Sequence, residues 1–342
     1  MSPKCRVRAP SNIALVKYWG KRDASTAWPT NSSLSMTLST AFTETWAEPT
    51  KAREHEISFV RTNHATTSQA PSRAIKHLDF LSRECGFSTK LKISTRNSFP
   101  MASGIASSAS GLCALTLAAL GAWTHSSNLA ELVKTFPIDK LARFTRMGSG
   151  SACRSLLGGL VQWHVGESSD DQRVEQITPA HHWDIFDQIM IFSNEHKTVS
   201  SSEGHLLAAS SPMFAARVAG LKEKLALVTN AWRERNFSLL GPLIEQEALE
   251  MHAIMMTSTP PVNYIAPKAW EFLTWLREVR ATHGIQAFFT LDAGTNVHVL
   301  GERKYLEVLT KLLRNDWEQN IFMLDEIGSG PTLDVCEEID LG

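Results

Sequence analysis

Apolar side chains alternate with polar ones at Cys5, Val7 and Ala9, and the chain then runs apolar from Ile13 to Val16. This pattern predicts a strand over residues 5–16 that leads into a loop at 17–23. A run rich in Ser and Thr predicts a second strand over 32–40, and the polar stretch 44–69 reads as hairpin-like. Ile75, Leu78 and Leu81 recur at helical spacing, so 72–84 is predicted as a helix with Gly86 as its C-cap. Residues 90–95 alternate like a strand. A loop over 97–104 then feeds a long apolar helix ending near Gly121. Asn128 with Glu131 resembles a capping box, which opens a helix that Pro137 stops; Pro137 then starts another through Arg146. A turn at 148–150 and a strand at 160–165 follow. The polar stretch 167–184, with its Ser-Ser-Asp-Asp cluster, is the candidate domain junction and divides the chain into 1–184 and 185–342.

The second half predicts a strand at 188–193 and helices at 211–235, 238–257 and from Pro267 to Gly284. Strands at 287–291 and 297–300 flank the turn Asp292-Ala293-Gly294-Thr295-Asn296, and a last helix covers 304–315. No internal repeat is seen. The mixed order of strands and helices predicts an α+β protein.

Composition narrows the function classes. A length of 342 residues suits two domains or one large one. With 43% hydrophobic and 20% charged residues the chain is expected to fold rather than stay disordered. Lys plus Arg is 34 and Asp plus Glu is 35, so no global field draws in nucleic acid or an anionic membrane. A local basic pocket for a small anion remains open. The five cysteines include no CxxC pair, which argues against a disulfide framework and a zinc site and for a reducing compartment. The apolar run 13–16 is too short for a signal sequence. Residues 97–130 carry no Asp, Glu, Lys or Arg. Their continuously apolar part, 112–123, falls well short of the roughly 20 residues a bilayer needs. A buried helix is expected there, in a soluble, cytoplasmic protein that binds neither membrane nor nucleic acid.

Four segments carry chemistry. In residues 100–111 a loop of small residues (Ser103, Gly104, Ile105, Ala106, Ser107, Ser108) passes directly into a helix. Such a loop lets a polyphosphate approach the backbone, and the helix start supplies free N–H groups. The Gly-Lys-Ser/Thr ending of a Walker A loop is absent; the alternative is a tight helix–sheet packing site. Ser149-Gly150-Ser151-Ala152-Cys153-Arg154 combines two hydroxyls, a turn and a guanidinium, either as an anion site or as an ordinary solvated loop. Residues 12–23 set Lys17, Lys21 and Arg22 around Tyr18 and Trp19, which fits a diphosphate beside an apolar wall or a solvated basic loop. Asp292 ends a strand in a turn, as a general base or as a common Asp-x-Gly turn. His181, His182 and His252 read as packing or surface residues rather than a metal set, and no base is placed for a Cys153 nucleophile.

Taken in this order, the segments resemble the diphosphomevalonate decarboxylase family, within the superfamily of galactokinase, homoserine kinase, mevalonate kinase and phosphomevalonate kinase (GHMP). The resemblance rests on 9–23 with 31–38, 99–111, 148–159 and 292–296. Smaller matches are 199–202 with Gly204, 251–253 and 258–261. It implies a GHMP-kinase-like fold: an ATP-binding N-terminal domain related to ribosomal protein domains and a ferredoxin-like C-terminal domain. It implies ATP and Mg²⁺, and conversion of mevalonate 5-diphosphate to isopentenyl diphosphate, ADP, phosphate and CO₂ by way of 3-hydroxyl phosphorylation. By the same resemblance, Asp292 takes or orients the hydroxyl proton, Lys17 tunes it, and Arg154, supported by Asn12, holds the substrate carboxylate. Tyr18, Trp19, Gly20, Lys21, Arg73, Ser149, Gly150, Ser151, Ala152, Cys153 and, more weakly, Ser202 contact the substrate. Residues 103–108 hold the ATP phosphates, with Ser108 on the Mg²⁺ side. Homodimers occur among such relatives.

The sequence also departs from the family. Thr295 replaces a usual Pro, Met101 occupies a small-residue position, and 121–138 is longer than in most relatives. The segment after Val199 reads Ser-Ser-Ser-Glu-Gly-His, where a Met commonly follows the Gly. A kinase that stops at the 3-phosphate, one that uses mevalonate or its monophosphate, and a non-catalytic ligand-binding relative are the competing readings.

Overall fold

The elements follow one another as β1 (Lys4–Val16), β2 (Lys21–Asp23), β3 (Trp28–Pro29), β4 (Ser33–Thr50), β5 (Glu56–Phe59), α1 (Ser72–Cys85), β6 (Lys90–Asn97) and α2 (Ser107–Thr124). Next come α3 (Leu129–Thr135), α4 (Ile138–Gly148), β7 (Leu160–His164), β8 (Arg173–Thr178), β9 (Ile185–Ile191), α5 (Ser201–Leu207), α6 (Phe214–Arg233) and α7 (Phe237–Met256). The chain ends with α8 (Pro267–His283), β10 (Ala287–Thr290), β11 (Val297–Glu302), α9 (Leu306–Asp316), β12 (Ile321–Glu326) and β13 (Thr332–Cys336). This computed structural model describes residues 4–60, 72–99, 107–171, 173–192 and 199–339.

The first sheet runs β13-β1-β4-β6-β5, with β7 added to β4 and β8 to β7. Its pairs are antiparallel except β5–β6. β1 is buried on alternate residues at its start and on both faces from Ala9 onward. The reason is a change of neighbours: α2 packs against β1 from one side, and α6 and α7 pack against it as well. One core gathers Val7, Ala47, Leu91 and Leu117 with α1 and α4; a second joins Ile13, Leu15, Met36 and Leu38 to Val228, Leu240 and Ile244. Helix α2 is apolar nearly all round because it is buried between the sheet and neighbouring helices.

The second sheet is the antiparallel four-stranded β10-β11-β9-β12. Asp325 of β12 fastens it to the first sheet. Its buried carboxylate accepts the N–H groups of Ser39 at 2.7 Å, Thr40 at 2.9 Å and Ala41 at 2.7 Å, at a break in the β1–β4 ladder. The α+β expectation holds. No described helix is long and apolar enough to cross a membrane.

Several expected elements change. The strand expected over 32–40 continues to Thr50, because β1 and β6 flank its second half and bury even Thr43, Glu44 and Thr45. Strand β8 lies inside the polar stretch 167–184, where only Val174 and Thr178 are buried, so its apolar signal is weak. Helix α5 and strands β12 and β13 went unpredicted. At α3 the Asn128 side chain accepts the Glu131 N–H at 3.0 Å, but the Glu131 carboxylate turns to the N–H and hydroxyl of Ser127, both at 2.8 Å. The helix expected from Ser211 begins at Phe214.

Candidate active site

Strand β1 carries Asn12 and leads into Lys17, and its ladder with β4 shifts register on either side of 12–14, between Pro10 and Asn12 and again between Ala14 and Val16. Such irregularities re-aim side chains. Asn12 is buried, and its amide donates to Ser155 Oγ at 2.8 Å and the Ser151 carbonyl at 3.3 Å. Its Oδ1 accepts from Arg154 Nε at 3.2 Å, while Arg154 Nη1 donates to Ser33 Oγ at 2.8 Å. Arg154 stands on a 3₁₀ turn, Gly150–Leu156, with its guanidinium held flat by these two oxygens. Burial lowers its pKa, with nearby Asp292 among the groups that oppose the shift.

Lys17 directly follows β1. Its ammonium, 1% exposed, donates to Asp292 Oδ1 at 2.9 Å and to the Ala14 carbonyl at 2.7 Å. Its backbone is fixed too: the N–H donates to Glu247 Oε1 at 3.0 Å, and the carbonyl accepts from Asn31 Nδ2 at 3.0 Å. Asp292 follows β10 in a tight turn closed by the Gly294 N–H on the Asp292 carbonyl at 2.7 Å. Its side chain remains 30% exposed. Burial pushes the Asp292 carboxyl up, but the Lys17 ammonium and hydrogen bond, aided by His298 and Arg154, outweigh it and hold the group below the usual carboxylate range. Burial lowers the Lys17 amine, with Asp292 opposing the shift.

The substrate candidates gather around this pair. Gly150 lies so close to Tyr18 that a Cβ there would meet its ring at 2.5 Å. The Tyr18 hydroxyl and the Trp19 indole N–H are buried with no hydrogen-bond partner among the described residues. Burial pushes the Tyr18 phenol up, so it stays a neutral donor. Lys21 of β2 has its pKa lowered by burial and then by Arg73, which places these two cations near each other. Arg73, at the start of α1, donates from Nε to the Gly148 carbonyl at 2.8 Å. Among the described residues, none of Lys21, Arg73 and Arg154 forms an ion pair with a carboxylate. Three cations without carboxylate partners make a receptor for an anion.

Ser149 Oγ donates to Ser108 Oγ at 3.4 Å, joining the Ser-Gly segment to the N-terminus of α2. Ser103, Gly104, Ile105 and Ala106 lie outside the described residues, as does the Ser107 side chain. Ser151 contributes its carbonyl to Asn12, and Ala152 is packed in the core. Cys153 is buried with its thiol on the Gly150 carbonyl at 3.1 Å, and burial pushes its pKa up to about 12, which excludes a thiolate nucleophile at neutral pH. Ser202 is half-buried on α5, whose next residues Gly204 and His205 meet Trp19. His252 is buried and pushed down to about 3 by burial and then by Lys17, so it is a neutral core residue. Among the described residues no group of three His, Cys, Asp or Glu is placed to hold a metal, and His182 sits instead near the Trp232 carbonyl at 3.3 Å.

Sequence reading missed Glu247, which accepts the Lys17 N–H, is paired with Arg217 and receives Lys224 Nζ at 3.2 Å. The signal existed: Glu247 falls on the buried stripe of α7 that carries Leu240, Ile244, Ala248 and Met251. Ser33 and Ser155 were also missed, being indistinguishable from neighbouring serines until the sheet folds.

A sheet faced by helices, a Ser-bearing helix start and a buried Lys paired with a partly exposed Asp define a GHMP-kinase-like protein built for phosphoryl transfer to a small anionic molecule. Residues 9–174 match the diphosphomevalonate decarboxylase-like N-terminal domain, and residues 188–332 match the mevalonate 5-diphosphate decarboxylase C-terminal domain. The chain belongs to the diphosphomevalonate decarboxylase family. It is 33% identical to the diphosphomevalonate decarboxylase of Aspergillus fumigatus over 97% of this chain and 84% of that one. It is similar to MDDEF, solved in complex with MVAPP, AMPPCP and magnesium, with a TM-score of 0.86, 32% identity, and coverage of 97% and 98%. Mevalonate diphosphate decarboxylase from Staphylococcus aureus superposes with a TM-score of 0.86 at 30% identity, covering 98% of this chain and 99% of that one.

Proposed function

We infer that this chain catalyses the ATP-dependent decarboxylation of mevalonate 5-diphosphate to isopentenyl diphosphate, with ADP, phosphate and CO₂ as the other products. The observation that carries the reading is the Lys17–Asp292 pair at 2.9 Å beside three cations without carboxylate partners. Asp292 is ionised at neutral pH and partly open to solvent, so it can accept or orient the proton of the 3-hydroxyl. Lys17 keeps Asp292 ionised and offsets charge repulsion as a phosphoryl group arrives. Arg154, held by Asn12 and Ser33, presents its remaining guanidinium N–H groups to the substrate carboxylate. Holding that carboxylate in line with the departing 3-phosphate lets both bonds break together. Tyr18, Lys21, Arg73 and the hydroxyls of Ser149 and Ser151 receive the diphosphate.

The oxygen donors fit magnesium. The Ser108 and Ser149 hydroxyls are hard oxygen donors of the kind Mg²⁺ accepts, and an ion bound mainly through phosphates and water needs no protein cage. Ser108 and Ser149 would hold the ion together with ATP, and it would supply neutralisation of the phosphate charge. The kinase reading has less support, because a buried Arg154 held by Asn12 and Ser33 and lacking a carboxylate partner among the described residues suits a group that fixes a departing carboxylate. The division of the chain after residue 184 fits the gap between β8 and β9, while β13 returns to the first sheet. Five free cysteines favour a cytoplasmic location. The test of the site is Asp292→Asn. Turnover should fall by about 10²- to 10⁴-fold with folding intact, and near-normal turnover would overturn the assignment.

A further inference from the structure

His205 is the least expected residue near the site. Its Nδ1 accepts the Gly20 N–H at 3.1 Å, which puts the ring proton on Nε2. The ring packs at a tilt against Tyr18, with centroids 4.2 Å apart and planes at 37°, and against Trp19, at 4.4 Å and 30°. Residues 18–20 therefore wrap around one imidazole. Gly20 is in the left-handed region (φ +95°), and the space a Cβ would need is filled by the Phe214 ring at 2.5 Å. Its backbone is thus set by α6 on one side and by His205 of α5 on another. Lys21 follows directly.

The charges that act on His205 are those of Lys21, Arg154 and Arg73, the three cations that lack a carboxylate partner. Burial comes first and these cations second in driving its pKa well below the usual histidine range. The ring consequently stays an acceptor at Nδ1 in the field meant for an anion.

We propose that His205 is a positioning residue for substrate binding: by accepting the Gly20 N–H between the Tyr18 and Trp19 rings, it holds Tyr18 and Lys21 at the spacing that receives the diphosphate. The inference rests on the decarboxylase reading for the identity of the ligand. It also makes α5 part of the substrate site through its fifth residue.

The test compares His205→Asn with His205→Gln. The Asn carbonyl can stand where Nδ1 stands and keep the Gly20 bond. The Gln amide reaches the Nε2 position and leaves Gly20 unserved. Affinity for mevalonate 5-diphosphate is measured by calorimetry, alongside kcat and KM, with circular dichroism to confirm folding. His205→Asn should bind within a few-fold of the wild type. His205→Gln should bind about tenfold more weakly, with KM rising more than kcat falls. Equal affinities in the two variants, whether both normal or both weakened, would overturn the proposal. Wild-type protein that binds the diphosphate but releases no CO₂ would refute the decarboxylase reading, and the Asn–Gln contrast would still decide the role of His205. Wild-type protein that fails to bind it would refute both.

Discussion

Replacing Lys17 with Met removes the ammonium while keeping an unbranched side chain of similar length. Two oxygens lose a donor: Asp292 Oδ1 at 2.9 Å and the Ala14 carbonyl at 2.7 Å. The Ala14 carbonyl keeps the Thr290 hydroxyl at 3.3 Å, so the loss falls mainly on Asp292. A hydrogen bond to a charged group contributes about 1.5–3 kcal/mol, which as a barrier corresponds to roughly a 10- to 150-fold fall in kcat/KM. The direction with pH follows from the balance at Asp292, where burial raises the carboxyl and Lys17 more than reverses it. In the wild type the active carboxylate survives until pH falls below the ordinary carboxylate range. The stability this depressed group contributes is present above its unfolded pKa and is likewise lost as pH falls through the folded value. In Lys17→Met burial acts with less opposition, so the acid limb of kcat/KM moves to higher pH. ADP release in a coupled assay, followed across the pH range in which both proteins stay folded, reads both effects. A variant with wild-type kcat/KM and an unmoved acid limb would refute the reasoning.

Other perturbations test the supporting geometry. Arg154→Gln removes the group bonded to Asn12 and Ser33 and should lower CO₂ release by roughly tenfold to a hundredfold or more, measured with labelled substrate. Glu247→Gln leaves Arg217 and Lys224 without their shared buried counter-charge and should cost about 3–5 kcal/mol in urea denaturation; an unchanged midpoint would show the network to be dispensable. Asp325→Ala removes the acceptor of three backbone N–H groups at 39–41, of which that of Ala41 is buried, and should destabilise the protein by about 1–3 kcal/mol, with little direct effect on KM.

Much of this was legible before folding, for identifiable reasons. Helices α1, α4 and α8 announce themselves through apolar spacing and through Pro137, Pro267 and Gly284. The Asp292 turn is legible because apolar strands bracket it. The far half of β4 was not, since polar side chains there are buried by neighbouring strands that local sequence does not name, and β8 was not, since only Val174 and Thr178 on it are buried. At the site, Lys17, Arg154 and Asp292 could be picked out as charges set among small or apolar residues. Their partners Ser33, Ser155 and Glu247 come from distant segments and share their residue types with many bystanders. His205 is similar: only the folded chain shows Gly20 and the two aromatic rings around it.

The central question is whether phosphoryl transfer and decarboxylation occur together on this chain. The direct measurement supplies ATP, Mg²⁺ and mevalonate 5-diphosphate labelled in its carboxylate, and follows CO₂ and ADP in the same reaction. Equal release of the two is the predicted result. ADP without CO₂ would contradict the role given to Arg154, and release of neither would contradict the assigned activity itself.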